Sequence, residues 1–310
     1  MTTNGIDRIQ IGVRNLAASV AFFRDLFEMS VVAEAPIDAS GFCALWNLPA
    51  SVIIKAVYLK NSEQPTAIEL LEVMPNDTGV CIREGARLYD YGLIDVAFRA
   101  KGIAEIYPDL LAKGYTFHSK PAVYTADWAN VTVCEVIMSG PDGMPVALIE
   151  RLSEPKPVIK NRFGTMIDVA QYVPDIDACL PFYTDVLGYT CVFDKPLPDG
   201  LVDPVIGLPP GTHSRLSFLL KSGTATPAVE FIQSSIGGQS LAPRTGPTSF
   251  GLFSMAFETP NLEALLRTIR EAGFDTIGGP VQMTSPLHGP ITAAVVRGPN
   301  QVLLEFFSRR

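Results

Sequence analysis

Apolar and polar residues alternate at Ile9-Gln10-Ile11-Gly12-Val13, a period of two that predicts a strand with one inward face. Asn15 follows as a helix-capping residue, and Leu16, Val20, Phe23 and Leu26 then lie at helical spacing. Strands are predicted next over 42–46, 52–59 and 67–73. The plan starts again with a strand over 94–99, a helix over 103–113, and strands near Tyr124, over 131–138 and over 146–151.

The whole pattern then recurs. Phe22 and Asp25 match Phe182 and Asp185, 160 residues later, and Ala67-Ile68-Glu69 matches Ala228-Val229-Glu230 at 161. Tyr91-Gly92-Leu93 matches Phe250-Gly251-Leu252, and Pro121 matches Pro280, both at 159. Gly140-Pro141-Asp142 recurs as Gly298-Pro299-Asn300, and Ile149-Glu150 is matched with Leu304-Glu305. A near-constant offset over this length marks a tandem duplication. The fold class is therefore α+β, with four βαβββ modules, two per half. The expected division is a first domain over 1–152, a linker over 153–162 containing Pro155 and Pro157, and a second domain over 163–310.

Composition narrows the function classes. Hydrophobic residues make up 47% and charged residues 18%, which is an ordered globular composition. The net charge of −8 argues against nucleic acid or an anionic membrane as partner. No stretch is long and apolar enough for a membrane span, and no apolar signal core follows Met1. The five cysteines are widely spaced without a CxxC, so buried free thiols and a cytoplasmic location are expected.

The order of strand, Asn or Asp turn, helix with Phe-Phe or Phe-Tyr, then Gly-Pro-Asp-Gly and a strand ending in Ile-Glu resembles the vicinal-oxygen-chelate superfamily. Val173-Pro174-Asp175 with Phe182-Tyr183-Thr184-Asp185-Val186-Leu187-Gly188 carries the resemblance most clearly. The superfamily includes glyoxalase I, bleomycin-resistance proteins and extradiol dioxygenases. The resemblance implies cupped sheets around a small-molecule cavity, usually with a divalent metal on two His and one or two Glu; a homodimer is left open. Carried over position by position, it selects Arg8, Glu69, Asp95 and Glu150 in the first half, and Asp168, Glu230, Ser254 and Glu305 in the second.

The histidines depart from that pattern. His118, His213 and His288 all fall outside the ligand positions, which disfavours ferrous dioxygenase and zinc or nickel glyoxalase chemistry. In the second half Asp168, Glu230 and Glu305 are expected as acid/base residues, or as ligands of a hard cation (Mg²⁺, Mn²⁺ or Ca²⁺), with Ser254 as a polar contact. Neutralisation by basic side chains and a plain acidic rim are equally open readings. In the first half Arg8 can pair with Glu69, Glu150 or Asp95, so no metal is expected there. His288, in a loop, is a candidate substrate contact. Trp46, Trp128, Tyr124, Phe231 and Phe253 are candidate cavity-lining aromatics. The expected activity is proton transfer, isomerase or lyase chemistry on a small molecule; the alternative is a binding protein that sequesters its ligand. Whether modules pair within or across halves is not decided by the sequence.

Overall fold

The computed structural model describes residues 3–77, 79–126 and 130–310. The first module comprises β1 (Ile6–Gly12), α1 (Leu16–Ala21), β2 (Ser30–Pro36), α2 (Ala39–Trp46), β3 (Ile53–Lys60) and β4 (Ala67–Met74). The second has β5 (Gly92–Ala100), α3 (Ile103–Ala112), β6 (Ala122–Ala126), β7 (Val131–Ser139) and β8 (Pro145–Arg151). The third has β9 (Phe163–Tyr172), α4 (Ile176–Pro181), β10 (Thr190–Pro196), α5 (Asp203–Ile206), β11 (Ser214–Leu220) and β12 (Ala228–Ser234). The fourth has β13 (Gly251–Glu258), α6 (Leu262–Glu271), β14 (Asp275–Ser285), β15 (Gly289–Arg297) and β16 (Leu303–Arg309). Residues 153–162 carry neither helix nor strand.

The four βαβββ modules make two mixed eight-stranded sheets, and each sheet crosses the repeat. The first runs β14-β15-β16-β13-β1-β4-β3-β2 and joins modules one and four. The second runs β10-β11-β12-β9-β5-β8-β7-β6 and joins modules two and three. The seams are antiparallel: Gln10 stands opposite Ser254 in the first sheet, and Ala97 opposite Asp168 in the second. Residues that the repeat assigns to one half are thus distributed over two separate cups.

Strand periodicity sorts side chains between two faces. One face of each sheet, together with the helices, contributes to a single continuous core: Phe27 meets Phe98 and Phe163 at ring-centroid distances of 4.5 and 4.6 Å, and Phe182 meets Phe274 at 4.6 Å. The other face of each sheet forms its cup. The helices begin with side-chain caps where the sequence has them: Asn15, Asp175 and Asn261 accept from the first-turn amides of α1, α4 and α6. Helix α3 lacks such a residue and starts at Gly102, whose φ of 83° suits glycine. Its free amides are satisfied from outside, by Glu150.

One predicted strand is a helix. Residues 42–46 form the second half of α2, while the strand expected there lies earlier, as β2. A short apolar run does not distinguish helix from strand by periodicity. Here the decision comes from Asp38, which accepts from the Gly41 amide at 3.0 Å as an N-cap, and from Asn47, left-handed at φ 53°, which ends the helix. Helix α2 lies inside the first cup against β14. Two glycines allow it: a Cβ at Gly278 would stand 1.9 Å from the Leu45 carbonyl oxygen, and one at Gly41 would stand 2.5 Å from the Met283 Cβ. Asn47 Nδ2 also donates to the Ile277 carbonyl at 2.8 Å.

Gly278→Val is therefore expected to lower stability by about 3 kcal/mol, through backbone displacement of α2 from β14. Urea unfolding measures this; a loss below about 0.5 kcal/mol, the range of a neutral surface change, contradicts the plug.

Candidate functional site

The first cup is filled. Phe42, Leu45 and Trp46 of α2 pack with Phe253, Ile291 and Phe307, leaving only about 10 Å³ beside Arg8. At its base Arg8 donates from Nε to Glu69 at 2.7 Å, from Nη2 to Glu305, and from Nη1 to Asp7 at 3.1 Å. Gln10 Nε2 donates to both Glu69 and Glu305 at 2.9 Å, and the Tyr58 hydroxyl donates to Glu69 at 2.6 Å. Burial opposes the charge on Arg8, but Glu305, Glu69 and Asp7 together hold its pKa well above the usual guanidinium value. His288 contacts Asp7 through Nε2 at 3.0 Å and stacks on Phe307. Burial alone would raise Asp7; His288 and Arg8 bring it below the usual carboxylate range.

The second cup is open. It encloses a cavity of about 240 Å³, reached by the cup face of seven strands at positions two apart: 95 and 97, 124 and 126, 131 to 137, 147 and 149, 168 and 170, 216 and 218, 230 and 232. Short helix α5 and the chain before it roof the cavity with Leu201, Val202, Val205 and Ile206. Among the described residues the walls are apolar except for Tyr124 and four carboxyls: Asp95 on β5, Glu135 on β7, Asp168 on β9 and Glu230 on β12.

These acids have almost no compensation. None of them takes part in an ion pair among the described residues, and no Lys, Arg or His lines the cavity. The Tyr124 hydroxyl donates to Glu135. Asp168 is 1% exposed, and neither of its oxygens has a hydrogen-bond partner. It lies beside Glu230, and once one of the two carries a proton they can share it, so the protonation of each depends on the other. Burial pushes Asp95, Asp168 and Glu230 upward, and the neighbouring carboxylates push Asp95 and Glu230 further. Arg83 and Arg99 lower Asp95 and Asp168 respectively, only from a distance. Arg83 itself is committed to the carbonyls of Leu93, Arg87 and Asp90.

The candidate residues are therefore regrouped. Asp168 and Glu230 stand together as expected for the second half, but Glu305 and Ser254 belong to the other cup. Glu305 is held by Arg8, and the Ser254 hydroxyl, fully buried, donates to the Met255 carbonyl. A metal on Asp168, Glu230 and Glu305 together is excluded by that separation. Of the expected first-half set, Arg8 and Glu69 pair, whereas Asp95 joins Asp168. Glu150 lines neither cup: it accepts from the Gly102 and Ile103 amides at 2.9 and 2.8 Å and caps α3. Its matching with Glu305 was a register error. Ala97 pairs with Ala147 as Ala256 pairs with Glu305, so the true counterpart of Glu305 is Ala147.

His288 contacts the first cup, not the second, while His118 and His213 are exposed and line neither. Of the aromatics, Trp46 and Phe253 fill the first cup, Tyr124 lines the second, and Phe231 lies in the shared core on the opposite face. Trp128 lies outside the described residues. Glu135 was missed, although a single charge within the apolar run Val131–Ser139 marked it. Gln10, Tyr58 and Asp7 were also missed. Cys43, Cys134 and Cys179 are buried free thiols, whereas Cys81 and Cys191 are half-buried.

The usual metal of this cup architecture does not fit here. The first cup has a guanidinium in the position, the second has no histidine, and among the described residues no three His, Cys, Asp or Glu are arranged to hold a metal ion. No helix among them is long and apolar enough to cross a membrane.

Comparison with known proteins agrees with the fold. Residues 165–306 match the family model described as Glyoxalase/Bleomycin resistance protein/Dioxygenase superfamily. That match spans modules three and four, one from each sheet. Glyoxalase I from Zea mays superimposes with a TM-score of 0.64 at 14% identity, covering 98% of this chain and 92% of its own. A putative dioxygenase from Bacillus subtilis gives 0.58 at 12% identity, with coverages of 99% and 86%. No curated protein matches the sequence.

Burial of Asp168 has a measurable consequence. Its pKa rises from 3.8 to about 7, so between those values the folded chain keeps a proton that the unfolded chain has released. Stability contributed by this group is full below about 4 and is lost as pH rises to about 7. Asp168→Asn removes that loss. The melting temperature of the variant relative to the native chain is expected to increase steadily across this window; a difference that is flat or falls with pH contradicts the assignment.

Proposed function

We propose, from the match of residues 165–306 to the Glyoxalase/Bleomycin resistance protein/Dioxygenase superfamily model and from the likeness in fold to glyoxalase I, that the chain is a small-molecule enzyme with one working site, the second cup. The observation that carries this reading is Asp168, buried without a hydrogen-bond partner at the wall of a cavity large enough for a ligand, beside a second raised carboxyl. Two coupled carboxyls with unequal proton affinity form a general acid and a general base that work near neutral pH. The ionised member removes a proton from the substrate, and the protonated member returns one at a neighbouring atom. Isomerase and lyase reactions both use this exchange.

The apolar roof and walls serve by excluding water, which strengthens the electrostatic contacts of the acids with the substrate. Tyr124 fixes Glu135 and keeps it out of the proton exchange. Glu69, Glu305, Arg8, Ser254 and His288 have no catalytic part in this scheme, because they stand in the other, filled cup. The same apolar lining supports a second reading, a protein that binds its ligand without changing it.

Proton exchange in D2O separates the two readings. Small carbonyl compounds with an acidic C–H are incubated with the native chain and followed by NMR. Deuterium incorporation is expected, and Glu230→Gln should slow it by about 10²-fold or more, while Glu150→Gln, at the α3 cap, leaves it unchanged. Tight binding with the C–H retained favours sequestration and contradicts the enzyme reading.

A further inference from the structure

We propose that the second cup takes an organic cation: a small protonated amine carried on an apolar body. The inference rests on the second cup being the ligand site and goes on to name the class of its ligand. Four carboxyls, Asp95, Glu135, Asp168 and Glu230, face one cavity that contains no basic side chain among the described residues. Among the described residues, neither oxygen of Asp168 has a hydrogen-bond donor other than a protonated Glu230 beside it. In the first cup the corresponding need is met from within by Arg8, which donates hydrogen bonds to Glu69, Glu305 and Asp7. The second cup has Asp168 at the position of Arg8, so its cation has to come from outside.

An anionic ligand is repelled by any of the four that ionises. A neutral ligand leaves the set as costly as before. An ammonium group supplies three donors and a positive charge, so one carboxyl ionises beside it while the remaining acids stay protonated and accept its other hydrogen bonds. The rest of the cavity is lined by Val133, Ile137, Leu216, Phe218 and the α5 roof, which suit a hydrocarbon or a ring. Size points the same way: a cavity of about 150 Å³ accepts benzene, so about 240 Å³ accommodates one ring with a short amino arm.

The test uses three probes with one body and different heads: 2-phenylethylamine, 2-phenylethanol and phenylacetate, titrated calorimetrically into the full chain at neutral pH. The amine is expected to bind about tenfold or more tightly than the alcohol, and phenylacetate not measurably. Asp168→Asn and Glu230→Gln, checked for native circular dichroism, should each weaken the amine about tenfold and leave the alcohol nearly unchanged. Equal binding of amine and alcohol, preference for phenylacetate, or binding of none of the three overturns the inference. The proton-exchange measurement stands apart: exchange without amine preference discards the cation and keeps the enzyme, and amine preference without exchange does the opposite.

Discussion

An ionised carboxylate taken out of water is held only by a nearby cation or by several donors, and a carboxyl that has neither keeps its proton. Both cups are built around buried acids, and they satisfy this constraint differently. In the first, Arg8 reaches Glu69, Glu305 and Asp7, with Gln10 and Tyr58 supplying further donors. The cluster is closed, charged and covered. In the second, four acids share one cavity with a single tyrosine donor among the described residues, and burial raises their proton affinity. Local charge therefore separates a cup neutralised from within from one whose acids lack a basic partner among the described residues, although both belong to the same repeat.

The helix after the second strand of the odd modules reinforces the difference. In module one it is the eight-residue α2, seated by Gly41 and Gly278 so closely that the cup holds almost no space. In module three it is the four-residue α5, which reaches only the cavity edge and roofs it. Filling one copy adds a second apolar cluster, built by α2 on the first sheet, to the core that both sheets share. The open copy is then free to carry unpaired acids, whose cost the rest of the fold offsets.

Much of this was legible in the sequence. The alternation at 9–13, the caps at Asn15 and Asp175 and the constant offset gave the four modules and their order. Asp168 and Glu230 are picked out by the resemblance to the vicinal-oxygen-chelate superfamily, carried over position by position. What the sequence does not carry is pairing across the repeat: β1 with β13 and β5 with β9 are long-range choices, and local periodicity is the same whichever partner is taken. That single ambiguity placed Glu305 and Ser254 in the wrong cup. The Glu150 error had a visible warning, since Gly140 and Gly298 are 158 apart while Glu150 and Glu305 are 155 apart. The strand assigned to 42–46 failed because Asp38 and Asn47, polar residues outside the apolar run, decided the conformation.

The central claim is that burial without a basic partner among the described residues raises the proton affinity of Asp95, Asp168 and Glu230, so that part of this set keeps its proton at neutral pH while part is ionised. Infrared spectroscopy reads this directly through the carbonyl stretch of a neutral carboxyl, which is distinct from the bands of a carboxylate. The native chain is expected to show that band at neutral pH, reduced in Glu230→Gln and Asp168→Asn, and lost as pH rises further. A native spectrum with carboxylate bands alone would contradict the account.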